Sequence, residues 1–377
     1  MEGRATDHKN LNLAELNRQV IRGTSNGKII FQPRIMAWFS DKSYLGQPLP
    51  EPYTEMEPND VYRAIGCSNR CYEFNWCFQV HEDPSVIFER IDIDEMSQKH
   101  VLHTPVGDLF TILRRNSSNP GHYSSKFQVE TEEDLKILIW LEERRTYSFS
   151  QEIYDQLMEK VGDLGLPSQY VPRVNLQKLI VEAMGVEGTV YALADYPDTV
   201  EEYCKVVNES EKGYLKALAD SPIEYVNFGD NIHCGVLPPY LFEKYVLPTY
   251  QSRNEFLHKY NKFTSAHWDG DVKTLLPYAK ETGLDGIEAL TPVPQGDVTI
   301  EEMKEALGDD LFVLDGIPAV FFDDVYPVEM LKECVDKLIK YFAPKLILGI
   351  SDEMSSTGNI DRIKMVTEWV DDYNASV

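Results

Sequence analysis

From about residue 180 to the C-terminus the chain alternates short apolar runs with longer stretches of helical periodicity, the pattern of parallel strands joined by crossover helices. Six runs predict strands: Gly188 to Ala194, Glu224 to Phe228, Phe263 to Ala266, Gly286 to Leu290, Leu311 to Leu314 and Leu346 to Ile350. Each precedes an amphipathic stretch, from Thr199 to Asp220 after the first run to Asn359 to Tyr373 after the last. Upstream, Lys28 to Ile35 predicts a first strand behind an amphipathic helix over Leu13 to Ile21, and Tyr170 to Val174 is the best candidate for the second strand. Eight such units make an α/β protein of the TIM (β/α)8 barrel class. A doubly wound sheet is the alternative, but no G-x-G-x-x-G opens a helix. Strand-like Ser85 to Ile93 and Val101 to Leu113, with turn residues Pro105, Gly107 and Asp108, predict a β-hairpin insertion. Residues 36–165 therefore read as an N-terminal elaboration on one barrel domain spanning 1–377.

A βα barrel carries its chemistry at the carboxyl ends of its strands, so the residue closing each apolar run is the one to inspect. Those residues are polar: Asp230 and Asn231, His267 and Asp269, Glu288, Asp315, then Ser351, Asp352 and Glu353. An acid after a strand also caps the next helix, which is enough to account for Asp315 and Asp352. Glu288 differs, because it lies inside the apolar run Gly286 to Leu290, where a buried charge costs several kcal/mol unless paired or metal-bound. His267 and Asp269 are two residues apart on a strand and point to one side. His267, Asp269 and Glu288, with Asp352 or water completing the shell, describe a nitrogen-and-oxygen site for which zinc is the expected ion.

Charge and composition narrow the field further. The 377 residues carry 36 Lys and Arg against 62 Asp and Glu, a formal net charge of −26, which disfavours nucleic acid and anionic membrane as partners. No stretch approaches the roughly 18 uninterrupted apolar residues of a membrane span, and the N-terminus has no signal-peptide core, so a cytoplasmic location is expected. Six cysteines are too sparse for a disulfide scaffold; Cys67, Cys71 and Cys77 read as buried thiols among aromatic neighbours.

Four stretches, FGDNIHCGVLPPYLFEKYVLPTYQ (228–251), SAHWDGDVKTLLPYAKETGLDGIEALTP (265–292), GDVTIEEMKEALGDDLFVLDGIP (296–318) and LILGISDEMSSTGNIDRI (346–363), resemble in order and spacing the uroporphyrinogen decarboxylase superfamily. Within it the chain looks like the zinc-dependent methyltransferases that work with corrinoid proteins. True uroporphyrinogen decarboxylases carry an arginine-rich N-terminal segment that grips the tetrapyrrole carboxylates; here Gln32-Pro33-Arg34-Ile35-Met36-Ala37-Trp38 keeps one arginine. Thiol-accepting members carry His-x-Cys and a later Cys, where this chain has His267-Trp268-Asp269 and Ser351. The resemblance implies an O-demethylase methyltransferase that passes a methyl group from a phenyl methyl ether to cobalt(I) on a separate corrinoid carrier protein. It implies His267 and Glu288 as zinc ligands, with Asp269 and Asp352 as further ligands or supporting groups. Asp230, Asn231 and His233 are expected to orient substrate or handle protons, and Trp38, Trp268, Phe321 and Phe322 to stack on an aromatic ring. A cofactor-free decarboxylase of a smaller acid and a non-enzymatic ligand-binding barrel are the competing expectations, and a homodimer is left open.

Overall fold

The computed structural model describes residues 12–117 and 119–377. Seven parallel strands follow one another along the chain: β1 (Ile30–Phe31), β2 (Ser168–Val171), β3 (Tyr225–Ile232), β4 (Phe263–Trp268), β5 (Gly286–Glu288), β6 (Phe312–Pro318) and β7 (Leu346–Ser351). They pair in the order β1-β7-β6-β5-β4-β3-β2. The eighth place, between β1 and β2, is taken by an irregular segment, Cys67 to Cys71. Ser68 N–H donates to the Phe31 carbonyl at 2.9 Å, Asn69 N–H to the Leu164 carbonyl at 3.2 Å, and Cys71 bridges Pro167 in the parallel sense. Gly165 permits this approach, since a Cβ there would lie 2.1 Å from the Asn69 carbonyl oxygen. The curled sheet is thus an α/β barrel, closed at one seam by backbone that is not a ladder strand.

The two ends of the barrel differ chemically. At the amino end, Val20 and Ile21 of the N-terminal helix (Leu13–Ile21) pack against Ile30, Leu166, Tyr225, Phe312, Leu314 and Ile347, a dry plug. Asn12 caps that helix by accepting from Glu15 N–H at 2.8 Å, and Arg18 ties it to Glu224 at 3.0 Å. At the carboxyl end the inward residues are polar, and function is expected there.

Two expectations need correction. Gly188 to Ala194 is not a strand but part of a helix, Gly185–Asp195. Thr189 and Ala192 face inward, while Val186, Val190 and Tyr191 stand exposed, so both faces are apolar and the run imitates a buried strand. The expected second strand is Ser168–Val171 rather than Tyr170 to Val174, and it occupies the third place around the barrel because Cys67 to Cys71 fills the second. The insertion is larger than a hairpin. Ile87–Asp92, Ser97–Thr104, Gly107–Arg115 and His122–Lys126 form a four-stranded antiparallel meander, beside a two-stranded ribbon of Phe78–His81 with Thr146–Phe149. Among the described residues the cysteines are free, and Cys67, Cys71 and Cys77 are buried. No described helix is long and apolar enough to cross a membrane.

Candidate active site

Strand register places the central groups. Parallel pairing of β4 with β5 sets His267 beside Glu288, and pairing of β3 with β4 sets Asn227 beside Ser265. Glu288 is fully buried, as its apolar neighbours in sequence require, and it is paired. Arg70 Nη1 and Asn227 Nδ2 each donate to it through short bonds, Tyr170 Oη donates at 3.0 Å, and His267 Nδ1 lies 3.4 Å from Oε2. Arg70 arrives from the irregular seam segment and forks onto Asp315, midway along β6, at 2.5 and 3.1 Å. Asp315 holds a backbone φ of +84°, a strained conformation for a residue with a side chain.

These contacts decide the charge states. Burial alone would raise the Glu288 carboxyl, but Arg70 and His267 outweigh it and hold it well below the usual range. Burial would likewise lower His267, yet its hydrogen bond to Glu288 and that group's charge leave its pKa above the ordinary value. Burial pushes Asp315 up to about 6 against the pull of Arg70. His267 is therefore an imidazole held ready to carry a proton, its Nδ1 toward Glu288 and its Nε2 3.8 Å from Asp269.

A cavity of about 320 Å³ opens over this cluster, lined by Arg34, Tyr72, Tyr170, Arg173, Asn231 and His267, with Asp352 at its edge. Arg34 is buried and ion-paired to Asp352 at 2.8 Å and Glu353 at 3.2 Å, and it lies 3.8 Å from Glu288. Tyr72 and Tyr170 stack at 5.1 Å with their hydroxyls 3.2 Å apart. Larger grooves of about 490 and 690 Å³ lie at the amino end and beside residues 36–58, but neither gathers a comparable set of buried titratable groups.

The expected residues divide. His267, Glu288, Asp269 and Asp352 do gather on one rim, but two arginines stand among them. Both Glu288 oxygens are committed to protein donors, and Arg34 and Arg70 supply the compensating charge that a cation would have supplied. Among the described residues no group of three or more His, Cys, Asp or Glu is placed to hold a metal ion. The donor set therefore does not fit zinc. Asp230 is buried and committed elsewhere, accepting from Val174 N–H at 2.8 Å and Tyr250 Oη at 2.6 Å. Asn231 lines the cavity, with φ +53°, whereas His233 accepts from Gly235 N–H at 2.8 Å in the following loop. Trp38, Trp268, Phe321 and Phe322 are buried and absent from the cavity lining. The aromatic pair that does line it, Tyr72 and Tyr170, escaped sequence reasoning, as did Arg70 and Asn227. A charge at Arg70 amid the buried Cys67 to Cys77 stretch was the available signal, since a buried guanidinium demands an acid.

The polar cluster thus sits at the carboxyl end of an α/β barrel. Residues 177–373 match the family model "Uroporphyrinogen decarboxylase (URO-D)". The chain belongs to that family. It is similar in fold to a methyltransferase from Methanosarcina mazei, with 13% identity, a TM-score of 0.57 and coverage of 94% of this chain and 97% of that one. A B12-independent methionine synthase from Shewanella sp. W3-18-1 is also similar, at 11% identity and a TM-score of 0.40, covering 92% and 96%. Among curated proteins, none matches the sequence.

Proposed function

We propose that the chain is a methyltransferase that removes a methyl group from the oxygen of a small aromatic acid, with His267 as the proton donor to the leaving oxygen. The observation that carries this reading is the His267–Glu288 pair at 3.4 Å beneath a cavity bordered by the buried Arg34. An alkoxide or phenoxide leaves poorly from carbon, and protonation by a positioned imidazolium solves that problem without a metal. Glu288 fixes the ring and favours its protonated form, while Arg70 and Asn227 fix Glu288 in turn. Arg34 supplies a cationic face for a carboxylate of the substrate, and the Tyr72–Tyr170 pair supplies aromatic wall.

Cobalt(I) corrinoid on a separate carrier protein would supply the nucleophile that takes the methyl group. Support for a docked carrier is that Tyr240, Val293 and Val325 stand exposed in the connections that follow β3, β5 and β6 at the carboxyl end. No Ser or Cys nucleophile lines the cavity among the described residues.

The second reading, decarboxylation of a small acid, draws on the same Arg34 anchor and the same imidazole, which would then protonate the carbanion left by CO2. Incubation of the purified chain with methoxybenzoates and reduced cobalamin separates the two. Methylcobalamin formation that disappears in His267→Ala supports methyl transfer. Release of CO2 without cobalamin methylation replaces it with the decarboxylase reading.

A further inference from the structure

Two arginines face the cavity from places on either side of the seam segment. Arg34 follows β1 and Arg173 follows β2, with Cys67 to Cys71 between them. At the usual strand spacing their backbones stand roughly 10 Å apart. Arg34 is paired with Asp352, itself at the cavity edge, and with Glu353, and Arg173 is paired with Glu182 at 2.7 Å. Each also has a buried Nε with no hydrogen-bond partner among the described residues. Arg34 is nine-tenths buried, and an unclaimed N–H in such a place is costly unless a ligand accepts from it.

We infer that Arg173 is a second anion anchor and that the ligand of this cavity is a small aromatic dicarboxylate, one carboxylate on Arg34 and the other on Arg173. The inference rests on the cavity being the substrate site, as proposed above. Each guanidinium keeps its own acid partners and its own unclaimed Nε, so the cavity offers two places for a carboxylate rather than one. The volume of about 320 Å³ suits one substituted ring rather than a tetrapyrrole. Tyr72, which belongs to the turn just after the seam segment, lines the same cavity with its ring 5.6 Å from the Arg34 guanidinium carbon, and offers an aromatic surface to a ring bound there.

Calorimetric titration of the full chain with isophthalate, its monoamide and benzoate, at fixed ionic strength, tests this. Isophthalate is expected to bind roughly ten- to a hundredfold more tightly than its monoamide, the range a charge-assisted contact commands. Arg173→Gln, a substitution at a partly exposed side chain, should raise the isophthalate Kd to that of the monoamide and leave the monoamide Kd unchanged. Equal affinities for the two compounds, an unchanged isophthalate Kd in Arg173→Gln, or no binding of any of the three at millimolar concentration would each overturn the inference. Turnover plays no part in this measurement. A failure of methyl transfer therefore leaves the dicarboxylate site standing, and a failure to discriminate the monoamide leaves the methyl-transfer experiment to be judged by itself.

Discussion

Arg70 grips Asp315 with both terminal nitrogens, at 2.5 and 3.1 Å, and one of those nitrogens also bonds Glu288. One cation from the irregular seam thus compensates two fully buried carboxylates from β5 and β6. Removing it alone orphans Asp315 and leaves Glu288 with only His267 and the more distant Arg34 as cationic partners, and breaking such buried pairs costs about 3–5 kcal/mol. Arg70→Met is expected to lower unfolding stability by that amount in urea. Adding Asp315→Leu should restore at least half of it, because the orphaned charge is then gone. A single mutant as stable as the parent would mean that the acids take protons at no cost.

Asp230 is expected to govern stability rather than chemistry, because neither of its oxygens faces the cavity. Asp230→Ala leaves Tyr250 Oη and Val174 N–H without acceptors in a buried place, at about 1–3 kcal/mol for each. Urea denaturation should show a loss of about 2–6 kcal/mol. The Kd for isophthalate should change by less than about threefold, well under 1 kcal/mol. A collapse of binding at unchanged stability would return Asp230 to the site.

Strand positions were legible where one apolar run faces one barrel wall, as at Phe263 to Ala266 and Leu346 to Ile350. They were illegible where the physical cause is not periodicity. Gly188 to Ala194 is apolar on a face that water also touches, so its helical period is hidden. The seam segment is held by loop carbonyls and by the absence of a Cβ at Gly165, features with no two-residue alternation to detect. At the site, Glu288 was recognisable because a charge inside an apolar run must be compensated. Which partner compensates it was not, since Arg70 lies 218 residues away in sequence. The same long-range folding brings in Tyr170 and Asn227, whose sequence surroundings look like ordinary strand interior.

Metal removal separates the present geometry from the zinc expectation. Since Arg34 and Arg70 already stand against Glu288, a divalent cation would face two guanidinium groups within the same cluster. Dialysis against a chelator is expected to leave the melting temperature and the isophthalate affinity unchanged, with far less than one zinc per chain by elemental analysis. Stoichiometric zinc, lost together with stability on chelation, would require Arg70 to swing away from Glu288.

Glu288 sets the proton affinity of His267, and its removal reveals the opposing effect of burial. In the parent the hydrogen bond and charge of Glu288 raise the imidazole pKa although burial lowers it. A group raised in the folded state adds stability that is complete below the unfolded value of about 6.5 and is lost as pH rises through the folded one. The same titration removes the proposed acid, so kcat/KM should fall on the alkaline side through that raised pKa. In Glu288→Gln the two raising contacts from Glu288 vanish while burial and Arg34 stay, opposed only by Asp269, which is expected to drop the imidazole below its ordinary value. The alkaline limb should then move to lower pH by at least about one unit, equivalent to about 1.4 kcal/mol. The pH dependence of the urea midpoint should change sign in step, stability lost above about pH 6.5 in the parent and gained on approach to about pH 6.5 in the variant, and direct titration of the His267 ring by NMR would report both changes. A limb that stays in place while the ring titration moves would assign the proton transfer to a group other than His267.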